Sequence, residues 1–120
     1  MVNFMIKPTS FQCTIACTYC FYLEKENFML PEGQKKAKYM DIETAKKFIE
    51  KRISEDKNTD IYFTWQGGEP LLAGLDFYKA VVSYQKELGK LFNKKIHNAI
   101  QTNGILIDEQ WAKFLKKNEF

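Results

Sequence analysis

Histidine and cysteine are both scarce in this chain. It has one histidine, His97, and three cysteines, all inside one short loop. No apolar run approaches the roughly 20 residues that a helical membrane span needs. The N-terminal segment from Met1 to Pro8 has no long apolar core and no small-residue cleavage site, so it does not read as a secretory leader. No membrane partner is expected. Charge of one sign is scarce too, with 18 basic against 15 acidic residues and a formal net charge of +3. The densest basic run, Lys35, Lys36 and Lys38, fits a solvated loop better than a nucleic-acid patch, and no nucleic-acid partner is expected. There is no internal repeat, no low-complexity segment and no GxGxxG dinucleotide loop. Clustered thiols without a leader predict a reducing, cytoplasmic location, where such a pattern means metal or catalysis more often than crosslinks.

What remains is enough for one domain. The chain has 120 residues, 45% of them hydrophobic and 15% aromatic. Residues 2–7 read as a strand, and residues 24–40, with Pro31 and Gly33, as a connection. Asp41 is a candidate N-cap for a helix to about Glu55, with Ile42, Ala45, Phe48, Ile49 and Ile53 at helical spacing. Residues 60–66 predict a second strand and Leu75 to Phe92 a second helix, with Phe77, Tyr78, Val81, Val82, Leu88 and Leu91 as its apolar set. Residues 95–102 predict a third strand, and Asp108 starts a third helix carrying Trp111, Phe114 and Leu115. This alternation predicts an α/β fold of three βα units with parallel strands. Three units cannot close a barrel, and the last strand keeps an open edge, so the chain is expected to be the first part of a longer protein.

The cysteines are spaced Cys13-x3-Cys17-x2-Cys20, with Tyr19 before the last and Tyr22 two residues after it. A [4Fe–4S] cube normally takes one thiolate per iron, so three thiolates leave one iron open to another ligand. Structural zinc is an alternative, but it needs a fourth ligand. His97 falls inside the predicted third strand, away from its C-terminal end, which leaves an Asp or Glu for that role. Three unligated thiols are a further alternative, although structural cysteines are usually scattered through cores.

In parallel α/β folds ligands bind beyond the C-terminal ends of the strands. The cysteine loop follows the first predicted strand, Gln66-Gly67-Gly68-Glu69-Pro70 the second, and Gln101-Thr102-Asn103-Gly104 the third. All three segments should therefore converge on one site. The two glycines allow positive φ and close backbone approach, so that their carbonyls, with Glu69, can face an ammonium group; taken alone, an ordinary turn before a helix fits them better. Gln101, Thr102 and Asn103 can bind a ligand or simply form an Asn-Gly turn. Tyr19, Tyr22 and Trp65 offer flat faces to an adenine ring, or they belong to the core.

Taken together, these residues resemble those of a radical S-adenosylmethionine (SAM) enzyme. The Cys13–Cys20 loop with Tyr19 is similar to that superfamily's cluster motif, and Gly67-Gly68-Glu69-Pro70 to its SAM-binding turn. The segments 6–10, 19–25, 65–71, 101–104 and 106–111 resemble the anaerobic sulfatase-maturating enzymes over essentially the whole chain; Thr14-Ile15, where the family often has Asn-Leu, is a mild departure. The resemblance implies a partial (β/α)6 barrel, with residues 1–120 as its N-terminal portion. It implies that Cys13, Cys17 and Cys20 bind a [4Fe–4S] cluster and that the methionyl group of SAM takes the open iron. Tyr19 and Tyr22 would lie near the adenine, Gly67, Gly68 and Glu69 at the methionyl ammonium, and Gln66 toward the substrate. The implied reaction uses a 5′-deoxyadenosyl radical to oxidise a sulfatase cysteine or serine to Cα-formylglycine, with flavodoxin or ferredoxin as electron donor. The rest of the barrel, a C-terminal SPASM region and the proposed catalytic carboxylate would lie beyond Phe120. No catalytic residue is therefore expected within these residues, and no turnover from them alone. Another peptide-modifying SPASM enzyme, or a zinc-binding module, are the rival readings.

Overall fold

Alternation builds the sheet. In β2 (Asp60–Trp65), Ile61, Phe63 and Trp65 are buried while Asp60 and Tyr62 are exposed, the period-two pattern of a strand covered on one face. The computed structural model describes residues 3–22, 32 and 38–120. Among them β2 is the central strand of a three-stranded sheet in the order β1-β2-β3, every pairing parallel. β3 (Lys95–Ile100) pairs with β2 along its full length, from Asp60 opposite Lys95 to Trp65 opposite Ile100. β1 is shorter than the expected strand over 2–7. It comprises Met5–Ile6, and its partners are Thr64 and Trp65. The ladder stops there because Pro8 has no N–H to give and the backbone turns at once, with Ser10 N donating to Lys7 O at 3.2 Å.

The helices follow the predicted order: α1 (Ile42–Glu55), α2 (Leu75–Leu91) and α3 (Glu109–Lys117). α1 and α3 begin on side-chain caps. Asp41 accepts from Thr44 N at 2.7 Å, and Asp108 accepts from Trp111 N at 2.8 Å. A short 3-10 helix, Pro70–Ala73, which the sequence pattern does not reveal, precedes α2. The buried residues of the three helices pack with Ile61, Phe63 and Trp65 in one core. Tyr78 is at its centre, edge-on to Trp65 and Trp111. Leu91, assigned to the apolar face of α2, is 73% exposed at the helix end, and Gln85 is buried instead. Gln85 satisfies its amide against Asn98, whose Oδ1 also accepts from the Trp65 indole at 3.0 Å.

Most of the connection over 24–40 lies outside the described residues, including Pro31, Gly33, Lys35 and Lys36; Val2 and Leu23 lie outside them as well. No helix among the described residues is long and apolar enough to cross a membrane.

The α1 cap carries a pH dependence. Hydrogen bonds from Thr44 hold the Asp41 carboxyl below the usual carboxylate range. A depressed folded value means that the cap's charge stabilises α1 above the ordinary aspartate pKa of about 3.9 and stops doing so as pH falls through the folded value. Asp41→Asn keeps a cap acceptor and removes the titration. The stability gap between the two proteins, from urea melts, is expected to be constant near neutral pH and to change only in the acid limb. A gap that ran flat down to pH 2 would refute this.

Candidate active site

Each strand exit contributes one wall of a single site. After β1 the chain makes two tight turns, Ser10 N to Lys7 O and Gln12 N to Thr9 O, and runs into the cysteine loop. Cys20 N donates to Cys17 O at 2.9 Å, which closes a turn between the last two cysteines. The thiols are free; Cys13 is exposed and the other two are half-buried.

After β2, Gly67 and Gly68 adopt φ of +107° and +52°. Glu69 N then donates to Gln12 O at 2.7 Å, which fastens this turn to the cysteine loop. The contact is so close that a Cβ on Gly68 would stand 2.1 Å from Gln12 O. Thr9, fully buried, lies with Oγ1 3.2 Å from Glu69 O and 3.4 Å from Gly67 O, so a single hydroxyl ties the start of the loop to the glycine turn. Loop residues have no periodicity to mark them, and sequence reasoning passed over Thr9.

After β3 the ladder breaks at Ile100, two residues earlier than expected, because Glu69 takes over the next groups. Its carboxylate accepts from the Thr102 hydroxyl through both oxygens, at 2.9 Å to Oε2, and from Asn103 N at 3.1 Å. Glu69 is therefore turned behind the glycine turn toward β3 and is wholly buried. Its charge reaches Tyr78, whose phenol is pushed far up, first by burial and then by Glu69.

These walls enclose a cavity of about 280 Å³. Cys13, Cys17 and Cys20 line one side with Ile15, Tyr19 and Tyr22, while Gln66, Gly67 and Gly68 and then Gln101, Thr102 and Asn103 line the other. The expected convergence of the three strand exits is met. Tyr19 is 89% exposed, and a hydrogen bond with Cys17, followed by the charge of that thiol, holds its phenol above the usual range. Tyr22 accepts a hydrogen bond from Lys7 Nζ at 2.5 Å. Gln66 Oε1 is buried with no hydrogen-bond partner among the described residues, an acceptor left for a ligand's donor. Trp65, one of the three aromatic candidates, is fully buried and belongs to the core.

No three of the described His, Cys, Asp and Glu side chains gather round one point as a single metal ion requires. Cys13, Cys17 and Cys20 nevertheless line the cavity together, and thiolates are the soft donors that iron–sulfur clusters take. His97 does not approach them. Its ring stacks on Tyr62 at 4.6 Å and its Nε2 lies 2.7 Å from Asp60 Oδ1, at the opposite end of the strands.

Comparison with known proteins agrees with this geometry. Residues 8–120 match the family described as the radical SAM superfamily. The chain is 39% identical over 116 residues to the serine-type anaerobic sulfatase-maturating enzyme of Bacteroides thetaiotaomicron, covering 97% of the chain and 27% of that protein. It is 40% identical over 121 residues to the cysteine-type enzyme of Clostridium perfringens, covering 99% of the chain and 31% of that protein. A solved structure of native anSMEcpe with bound AdoMet and Cp18Cys peptide superposes with a TM-score of 0.82 at 39% identity, over 98% of this chain and 29% of that one. The chain thus spans less than a third of the length of these relatives.

Proposed function

Because the chain belongs to the radical SAM superfamily, we propose that it forms the cofactor-binding part of a maturase that oxidises a cysteine or serine of a sulfatase to Cα-formylglycine. The observation that carries this reading is the cavity in which three thiols from one loop face the exits of β2 and β3. The 39% and 40% identity to enzymes named for sulfatase maturation supports the choice of substrate. Cys13, Cys17 and Cys20 are the cluster ligands, soft sulfur donors of the kind iron–sulfur centres take. A [4Fe–4S] cluster with SAM would supply one-electron reductive cleavage of SAM, and with it a radical able to take hydrogen from the substrate residue's Cβ.

The chain's own residues bind and orient. Gly67 and Gly68, with no side chains, let backbone carbonyls meet an ammonium group. Glu69 adds negative charge from behind that turn. Gln66 Oε1 accepts a hydrogen bond on the substrate side, and Tyr19 and Tyr22 offer ring faces to the adenine. In this reading a flavodoxin or ferredoxin delivers the electron in the cytoplasm. The remaining barrel, the SPASM region and the catalytic carboxylate come from sequence outside residues 1–120.

Anaerobic reconstitution with iron and sulfide tests the site. The expected product is brown and air-sensitive, with about four irons and four sulfides per 120-residue chain. Cys17→Ala is expected to abolish that uptake, read by iron analysis and the visible charge-transfer band. A colourless protein that takes one zinc and no iron would overturn the reading, as would full iron content in Cys17→Ala. The reaction itself is tested with the protein at its natural length, by mass spectrometry for formylglycine in a co-expressed sulfatase.

A further inference from the structure

The third strand exit makes one contact that the proposed cofactor chemistry does not account for. Asn103 Oδ1 accepts from Ile105 N at 3.0 Å, closing an Asx turn. With its carbonyl oxygen occupied there, the amide can point only its NH2 toward the cysteine loop. Nδ2 lies 3.0 Å from Thr14 Oγ1 and 3.7 Å from Cys13 Sγ. The backbone beneath is fixed independently, because Asn103 N donates to the buried Glu69 carboxylate. Asn103 is therefore a donor held on two sides and aimed at one of the three thiols.

We propose that Asn103 is a positioning and tuning residue, whose amide donates to the Cys13 sulfur and raises the reduction potential of the cluster bound there. The inference rests on the cluster assignment above. A hydrogen bond to a ligand sulfur stabilises the electron-rich reduced state more than the oxidised one, and such bonds are among the factors that set cluster potentials. Of the three thiols, only Cys13 receives an Asn or Gln amide among the described residues.

Asn103→Asp keeps the Oδ1 acceptor for Ile105 N and removes the donor. Asn103→Ser keeps a weaker local turn bond and is too short to reach Cys13. Both are made in the protein at its natural length, loaded anaerobically and titrated by EPR at controlled potential. The signal followed is the component that changes when SAM is added, which singles out the cluster with an open iron. The expected result is unchanged iron content and a potential shifted negative in both variants. The ratio of reduced to oxidised cluster at a fixed ambient potential should fall about tenfold, equivalent to about 59 mV for a one-electron couple. Unchanged potentials with full iron would overturn the tuning role. So would loss of iron from both variants with the fold retained by circular dichroism, which would make Asn103 a requirement for assembly. A wild-type protein that binds no iron would instead refute the cluster assignment.

Discussion

Gly68→Ala is expected to destabilise the protein by about 2–5 kcal/mol and to cost it most of its iron uptake. Two costs add at this position. A side chain at φ +52° is in the left-handed region, which costs roughly 1–2 kcal/mol. The added Cβ would also stand 2.1 Å from Gln12 O and 2.7 Å from Phe11 C. Those are backbone atoms with no rotamer to change, so the loop must move, and forced overpacking costs roughly 1–3 kcal/mol more. The displaced segment leads directly into Cys13, and the Glu69 N to Gln12 O bond breaks with it. Gly104→Ala is the control. It also has positive φ, at +80°, but its Cβ would meet nothing within 4 Å, so it should lose only the conformational part and keep its iron. Urea melts and iron analysis of the two variants decide the matter. A Gly68→Ala protein as stable and as iron-rich as Gly104→Ala would mean that the close approach has no role.

Glu69→Ala is expected to cost about 3 kcal/mol, with a loss of order around Thr102 and Asn103. The carboxylate is fully buried, and among the described residues no cation pairs with it. The Thr102 hydroxyl and Asn103 N satisfy it instead. Truncation leaves the Asn103 N–H and the Thr102 hydroxyl, both part-buried, without their acceptor, each worth roughly 1–2 kcal/mol. Glu69→Gln keeps the volume and one carbonyl oxygen, so it should retain more than half of the lost stability. Equal losses in the two variants would show that the charge, rather than the hydrogen bonding, holds the turn. Hydrogen exchange at Asn103 N gives a local readout, which should speed up in Glu69→Ala.

Most of the fold was legible because its signals are local. Asp41 and Asp108 cap the helices that their positions announce, and the alternation of β2 marks which of its faces is covered. The convergence of strand exits followed from topology alone. The details that escaped are those made by contacts distant in sequence. β1 is short because Pro8 and the turn after it remove its donors. β3 ends early because a carboxylate more than 30 residues upstream claims Thr102 and Asn103. Gln85 is buried because Asn98, on another element, answers its amide. The direction of the Glu69 side chain and the role of Thr9 could not be read from loops that have no period.

The brevity of β1 has a consequence for the order in which the protein acquires its shape. Two paired residues hold the approach to the cysteine loop, and its other tethers come from residues made much later: Gln66 N to Ile6 O, Glu69 N to Gln12 O and Met40 N to Pro8 O. On a ribosome the three thiols emerge some fifty residues before the glycine turn that positions them. Contacts so remote along the chain form late, after the loop entropy has been overcome. The cysteine loop is thus expected to settle after β2 and β3 have folded, and delivery of any cluster to it is expected to follow.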